Sequence, residues 1–319
     1  MRPSGSVAAP SIVLLLFFGG HAAAQEARAW LERMSRAVEE LNYRGTFVHV
    51  LGGTAETLQI VHRNEDGQTG ERILSLDGAG SEFVRQGDRA QAIFPDRRIV
   101  LFETRSDSSP LVSALPSNTT EFSPHYELEL GESSRVAERA AQVLEIKPRD
   151  EFRYGYKLWL DQDTAMPLKS QLVGERGEVV EQIVFTEIEI PADIPASDLE
   201  PTIDTTGFTM LRAPASTPLA AEIPWRAMDT PDGFRLSVAT QSSIAGSDTP
   251  VGHLVYSDGL ATVSVFIEAS AAQADMPDGF STAGSTNAYS QTLGDRKVTA
   301  IGEVPRRTVR RIASSLVAE

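Results

Sequence analysis

The sequence predicts a mainly β protein with a few helices, of the α+β class. Three observations carry this. Short runs rich in Val, Ile, Phe, Tyr and Thr recur from Gly45 to Ile190 and again from Gly233 to Glu303, separated by Gly, Asp and Asn. Apolar residues at helical spacing stand near the two ends of the chain. The length, 319 residues, exceeds what one ordinary core needs, so two packed units are expected. Apolar residues at 41% and charged residues at 23% exclude disorder, collagen and coiled coil as readings of the whole chain.

The elements follow in order. Arg2, the apolar run Ile12 to Phe18 and the small residues Ala22-Ala23-Ala24 before Gln25 read as a secretory signal peptide over 1–24, cleaved after Ala24. The apolar run is far shorter than the roughly 20 residues that span a bilayer. Trp30, Met34, Ala37, Val38 and Leu41 then define one amphipathic helix over Gln25 to Leu41, with Asn42 as its stop.

Strands are expected at Gly45–Leu51, Thr57–Arg63, Glu71–Leu76, Glu82–Gln86, Ala90–Phe94, Arg98–Phe102, Tyr126–Leu130, Gln142–Lys147, Tyr154–Leu160, Leu168–Gly174 and Val179–Ile190. Gly52-Gly53, Asp66-Gly67, Asp77-Gly78 and Gly87-Asp88 supply the positive-φ positions of tight hairpins, so neighbours should pair antiparallel. Gly45 to Leu51 sets Phe47 and Leu51 on one side and Val48 and Val50 on the other. Such a strand calls for cover on both faces: a helix on one, and a second sheet, a folded-over barrel wall or a bound apolar molecule on the other.

Six of the chain's 18 prolines fall between Pro191 and Pro224, which places a stiff linker over 196–224 between a first domain at 25–195 and a second at 225–319. In the second, strands are expected at Gly233–Thr240, Val251–Ser257, Leu260–Glu268, Thr286–Thr292 and Arg296–Glu303, with Pro305 at the first position of a terminal helix. Pro-Asp-Gly-Phe occurs at 231–234 and 277–280, which reads as two turns entering strands.

Charge and chemistry narrow the function. The formal balance is -15, and the first 210 residues hold 20 basic against 33 acidic side chains. That field repels phosphate backbones, which argues against a nucleic-acid partner. The absence of cysteine removes disulfides, thiolate zinc sites and cysteine nucleophiles. No HExxH, Walker loop, GxGxxG or GxSxG occurs, and His49, His62, His125 and His253 lack ligand spacing, so neither a metal nor another cofactor is expected. Asp161-Gln-Asp163-Thr164 has the outline of a phosphoryl-transfer aspartate pair, but Ala165 breaks the motif and the setting is not parallel α/β. A hairpin loop over Asp161 to Pro167 is the better reading.

One cluster stands out. Arg306, Arg307, Arg310 and Arg311 share a face of the terminal helix, and Arg296 and Lys297 precede them. A solvated helix face is the plain reading. Against it, cations in a first turn oppose the helix dipole by a few tenths to about 1 kcal/mol. The alternative is a docking surface for an acidic protein segment or an anionic headgroup.

The strings Leu41-Asn-Tyr-Arg-Gly-Thr-Phe-Val48, Ser75-Leu-Asp-Gly78, Val143-Leu-Glu-Ile-Lys-Pro-Arg-Asp150 and Gly155-Tyr-Lys-Leu-Trp-Leu-Asp161 occur in this order, followed by Thr164 to Ser170, Phe185 to Ile190, Tyr256 to Ala261, Ser264 to Glu268 and Gly302 to Pro305. Together they resemble the RseB/MucB family, from about Trp30 to Ile312. Ala92-Ile-Phe94 departs from the more polar stretch of some relatives. The resemblance implies a non-enzymatic periplasmic regulator of a sigma-E or AlgU type sigma factor, with no catalytic residues. It would bind the periplasmic part of a membrane-spanning anti-sigma factor of the RseA/MucA kind and hinder its proteolysis. A lipid, lipopolysaccharide or lipoprotein acyl chain would release it, and a homo-oligomer is compatible with that role. The first domain would be a LolA/LolB-like unclosed antiparallel β-barrel around helices with an apolar, lipid-sensing cavity. The second would be a small sheet with a C-terminal helix that contacts the anti-sigma factor, giving Arg296, Lys297, Arg306, Arg307, Arg310 and Arg311 a role in partner binding. The rival readings are a periplasmic lipid or lipoprotein carrier, which the second domain disfavours, and an exported hydrolase built from distant acids.

Overall fold

A computed structural model describes residues 19–104, 115–116, 124–212, 217–219, 223–243, 250–270 and 277–318. The expected signal run at 12–18 lies outside them. Helix α1 (Gly19–Glu40) begins earlier than its apolar spacing predicted and ends where expected. Ala27, Leu31, Met34 and Val38 recur at spacings of three and four, fall on one face, and are all buried. Past its end, the Asn42 side chain accepts the Asn64 backbone N–H at 2.8 Å, fixing how the chain turns into the first strand. No helix of the described residues is long and apolar enough to cross a membrane.

The strands follow as β1 (Tyr43–Leu51), β2 (Thr54–Glu65), β3 (Gln68–Ser75), β4 (Glu82–Gln86), β5 (Arg89–Phe94), β6 (Ile99–Thr104), β7 (Tyr126–Val136), β8 (Arg139–Pro148), β9 (Gly155–Asp161), β10 (Pro167–Val173), β11 (Val179–Glu189) and β12 (Thr209–Arg212). They form one sheet in the order β12-β6-β5-β4-β3-β2-β1-β11-β10-β9-β8-β7, antiparallel throughout except for β12 beside β6. Among the described residues the outer strands β12 and β7 have no further neighbour in this sheet, so it does not close. The inward face carries Phe47, Ile60, Ile183 and Phe185 in one cluster. Leu144, Ile146, Leu158 and Leu160 form another with Ala27, Leu31 and Met34 of α1. Burying each such side chain is worth about 1.5–3 kcal/mol.

Two expectations change here. Val48 and Val50, expected to need full cover, are only half-buried, with cross-strand neighbours such as Val184 and Thr57 beside Val48. The proline-rich stretch, expected to hold the units apart, is docked along its first half on the large sheet. Its 3-10 turn Ala196–Leu199 seats Leu199 against Val61, Ala192 and Ile194, over Gly70, where a Cβ would stand 2.6 Å from Leu199. The buried Glu82 carboxylate then accepts the backbone N–H groups of Thr202 (2.9 Å) and Ile203 (3.1 Å) and the Thr202 hydroxyl (2.9 Å). Beyond it β12 pairs along β6.

The smaller unit contains β13 (Thr217–Leu219), β14 (Trp225–Ala227), β15 (Arg235–Ser243), β16 (Val251–Ser257), β17 (Thr262–Ala269), β18 (Gly279–Ala283), β19 (Thr286–Leu293), β20 (Arg296–Gly302), helix α2 (Arg306–Ser314) and β21 (Leu316–Ala318). Seven strands order as β13-β15-β16-β17-β20-β19-β18, and β14 pairs with β21 separately. Val309, Ile312 and Ala313 of α2 pack on Val263, Val265, Ile267, Val298 and Ala300, on one face of this sheet. Pro305 stands just before the helix rather than within it, and its carbonyl accepts the Thr308 N–H at 2.9 Å.

Candidate functional site at the junction of the two units

The loop after β8 drives Arg153 into the smaller unit. Its guanidinium donates to Asp258 Oδ2 (2.5 Å), to the Asp232 carbonyl (2.6 Å) and to Asp150 Oδ1 (2.9 Å), between the rings of Tyr126 and Phe234. The Tyr126 hydroxyl donates to the same Asp258 oxygen at 3.0 Å. Burial, then the Asp258 charge, push the Tyr126 phenol well above its ordinary range. Asp258 Oδ1 accepts the N–H groups of Leu260 and Ala261, so the buried carboxylate has every lone-pair direction used. Leu260 enters the cluster under α1, and the Thr308 hydroxyl donates to the Phe152 carbonyl at 2.6 Å. The two units are thus joined by buried, fully bonded polar contacts.

A second contact lies at the β1–β2 hairpin. Gly52 and Gly284 meet back to back, each at positive φ, and a Cβ on Gly284 would stand 2.6 Å from Leu51 Cγ. Beside it His49 Nε2 lies 2.7 Å from Glu181 Oε1, and the Ser285 hydroxyl donates to Glu303 at 2.6 Å. Burial, with the Glu181 charge adding to it, raises the Glu303 carboxyl above the usual carboxylate range.

Two hollows flank this junction. One is a cleft of about 590 Å³, lined by Glu151, Phe152 and Glu175 of the large unit and by Phe280, Arg306, Arg307, Arg310 and Arg311 of the small one. The other, of about 600 Å³, is mostly apolar; Tyr126, Tyr156 and Leu172 line it from the large unit and Leu260, Phe266, Ile301 and Glu303 from the small one. Burial and then the charges of Glu303, Glu181 and Asp258 raise the Tyr156 phenol.

The six basic residues singled out by pattern are therefore divided. The four arginines of α2 come together on the cleft, and Arg296 and Lys297 do not line it. Lys297 is buried and pairs with Asp278 at 2.6 Å, while Arg296 lies 3.7 Å from Asp295. Arg307 crosses the junction to Glu151 and to Glu175 (2.8 Å), and Arg311 pairs with Asp229 at 2.6 Å over the Phe152 ring. Among the described residues Arg306 and Arg310 form no ion pair; Arg306 rests on Phe280 and donates to Thr282. Both are exposed.

Sequence reasoning missed Arg153, Asp258 and Glu82, since each works with a partner far away in the chain. The Asp161 loop is a hairpin loop: Asp161 Oδ1 accepts the N–H groups of Asp163 and Thr164 and the Thr164 hydroxyl, and Oδ2 accepts from Arg139 at 2.6 Å. It is built for structure. Among the described residues no three His, Cys, Asp or Glu side chains gather to hold a metal.

The comparisons with known proteins match both units. The family described as the MucB/RseB N-terminal domain covers residues 26–203, and the MucB/RseB C-terminal domain covers 220–317. The sigma factor AlgU regulatory protein MucB of Pseudomonas aeruginosa is 37% identical over 300 residues, 92% of this chain and 91% of the relative. The sigma-E factor regulatory protein RseB of Escherichia coli K12 is 27% identical over 309 residues, 95% of this chain and 94% of the relative. Among solved structures, the Pseudomonas aeruginosa MucA/MucB complex matches with a TM-score of 0.69 at 33% identity, covering 92% of this chain and 99% of that one. The likeness covers both units, and on this ground the chain belongs to the MucB/RseB family.

Proposed function

We propose that this chain is a non-enzymatic periplasmic negative regulator of an envelope-stress sigma factor. It grips the periplasmic segment of a membrane-spanning anti-sigma factor, of the MucA/RseA kind, and keeps a protease from it. The observation that carries this reading is the cleft with four arginines at the junction, in a chain whose net charge is -15. A basic cleft on an acidic protein selects acidic partners and repels others. Two solved relatives are complexes of MucB, one with MucA and one with MucA(peri), which supports a partner of that kind.

Release is assigned to a lipid or lipopolysaccharide, whose chain enters the apolar cavity beside the cleft. Swinging an equilibrium from 1:99 to 99:1 takes about 5.5 kcal/mol of differential binding. At about 0.8 kcal/mol per buried methylene, roughly seven methylenes suffice if only the released state accepts them. A lipid that bound both states equally would release nothing. The same cavity favours a second reading, a periplasmic carrier of lipids or lipoproteins, in which transfer is the whole function.

The test is proteolysis of the partner's periplasmic region by its own protease, with and without this protein. Protection that purified lipopolysaccharide abolishes is expected. Cleavage at the same rate in both samples would refute the regulatory reading, and lipoprotein transfer without protection would establish the carrier.

A further inference from the structure

Two acids of the large unit reach into the arginine cleft. Glu151 and Glu175 stand on separate turns, and both pair with Arg307 of α2, Glu175 at 2.8 Å. Each is held out by its own backbone. The Asp150 carboxylate accepts the Phe152 N–H at 2.9 Å, and the Arg153 side chain is anchored in the small unit, which together fix the loop that presents Glu151. The turn between β10 and β11 is closed by the Gly174 N–H on the Glu178 carbonyl (2.8 Å), while the Glu178 carboxylate accepts the Arg176 N–H (2.8 Å); this turn presents Glu175. Both carboxylates are thus aimed before they meet the arginine, which lowers what the pairing costs in order.

α2 divides accordingly. Arg307, Thr308 and Arg311 face the large unit, through Glu151, the Phe152 carbonyl and the Phe152 ring in turn. Arg306 and Arg310, each one position before an arginine already taken, are exposed at the cleft. An acidic segment drawn to them enters a space that also holds Glu151 and Glu175, and these like charges oppose it for as long as they stay there. They are able to give way. The Glu151 side chain is 62% exposed and the Arg307 side chain 41%, and ion pairs so open to water are weak.

Resting on the reading that this cleft grips an acidic partner segment, we propose that Glu151 and Glu175 are built-in substitutes for the partner's carboxylates: they occupy Arg307 in the free chain, and the partner displaces them. The two acids belong to one unit and Arg307 to the other, so the exchange ties partner binding to the seating of α2 on the large unit. Whatever closes the built-in pairs again weakens the grip, and by linkage a bound partner resists that closure to the same degree.

The experiment titrates the partner's periplasmic region, and separately hexaglutamate as a probe of the acidic chemistry alone, into the parent, Glu151→Gln/Glu175→Gln, Arg307→Gln and the triple variant. All three positions are exposed, and surface substitutions of this kind leave stability within a narrow band. Glu151→Gln/Glu175→Gln is expected to bind both ligands about five- to tenfold more tightly than the parent. In the Arg307→Gln background the same two substitutions should gain about twofold at most, since no arginine is left to be freed. An equal gain in both backgrounds would mark a plain repulsive field and overturn the proposal, as would no gain in the parent background. Hexaglutamate following the expected pattern while the partner's region binds no form leaves this assignment standing and removes the anti-sigma reading. The partner's region binding all four forms equally keeps that reading and removes this assignment, and so does a probe that none of the four forms binds.

Discussion

The Arg153 guanidinium and the Asp258 carboxylate meet at 2.5 Å across the junction, with both side chains wholly shielded from solvent. Each is fully bonded beyond the pair, Arg153 to Asp150 and the Asp232 carbonyl, Asp258 to Tyr126 and two backbone N–H groups. Such a pair is expensive to leave half-made. Its presence makes the relative placement of the units specific, so a signal that reorients them must act against it.

Arg153→Met should therefore lower unfolding stability by about 3–5 kcal/mol, because it strands the Asp258 charge. Adding Asp258→Asn keeps the turn contacts and removes the charge, so it should recover part of the loss. Urea unfolding of the two single variants and the double variant measures the coupling. A single variant as stable as the parent would contradict the account.

Glu82 anchors the docked half of the connection through Thr202 and Ile203. Glu82→Ala leaves those N–H groups unmatched, at about 1–3 kcal/mol. Limited proteolysis should then cut near 200–208 before either unit is attacked. An unchanged cutting pattern would show that β12 pairing alone holds the segment.

His62 is buried against Tyr43, their rings stacked 4.7 Å apart, and burial lowers its pKa to about 4. The unfolded chain, at about 6.5, binds the proton first as pH falls. This stabilising contribution is present above about pH 6.5, shrinks through the window down to about pH 4, and totals on the order of 3 kcal/mol. His62→Phe keeps the stack and should flatten the pH dependence across that window. Parallel curves for the two proteins would refute it.

Glu303 has the opposite sign. Burial raises its pKa, so the folded junction favours the protonated acid. That contribution is full below the ordinary carboxylate range and is lost as pH rises through the raised value. Glu303→Gln should remove the decline, read as the thermal midpoint of each protein against pH. A decline of equal size in both would place its origin elsewhere.

Much of the fold was legible in the sequence. The β1–β2 and β2–β3 hairpins follow from Gly52-Gly53 and Asp66-Gly67, all at positive φ, and alternation in strands such as Val263, Val265 and Ile267 marks the buried face. The short strands β12, β14, β18 and β21 were not legible, since three to five residues without a buried alternation carry no periodic signal. The site was legible only in part. Spacing of 306, 307, 310 and 311 on one helix is local information, and the structure brings those four together. Arg296 and Lys297 joined them on nearness in sequence alone, but Asp278, an acid from another segment, claims Lys297. Arg153 and Asp258 lie 105 positions apart, beyond any local pattern.

The grip of the arginine cleft on an acidic partner segment is tested most directly by titrating the anti-sigma factor's periplasmic region into the parent protein and into Arg306→Glu/Arg310→Glu, at two salt concentrations. These two cations make no ion pair among the described residues, so reversing them spares the junction. The account predicts about tenfold or greater loss of affinity and a shallower salt dependence in the variant. Equal affinity and equal salt dependence in both proteins would contradict it.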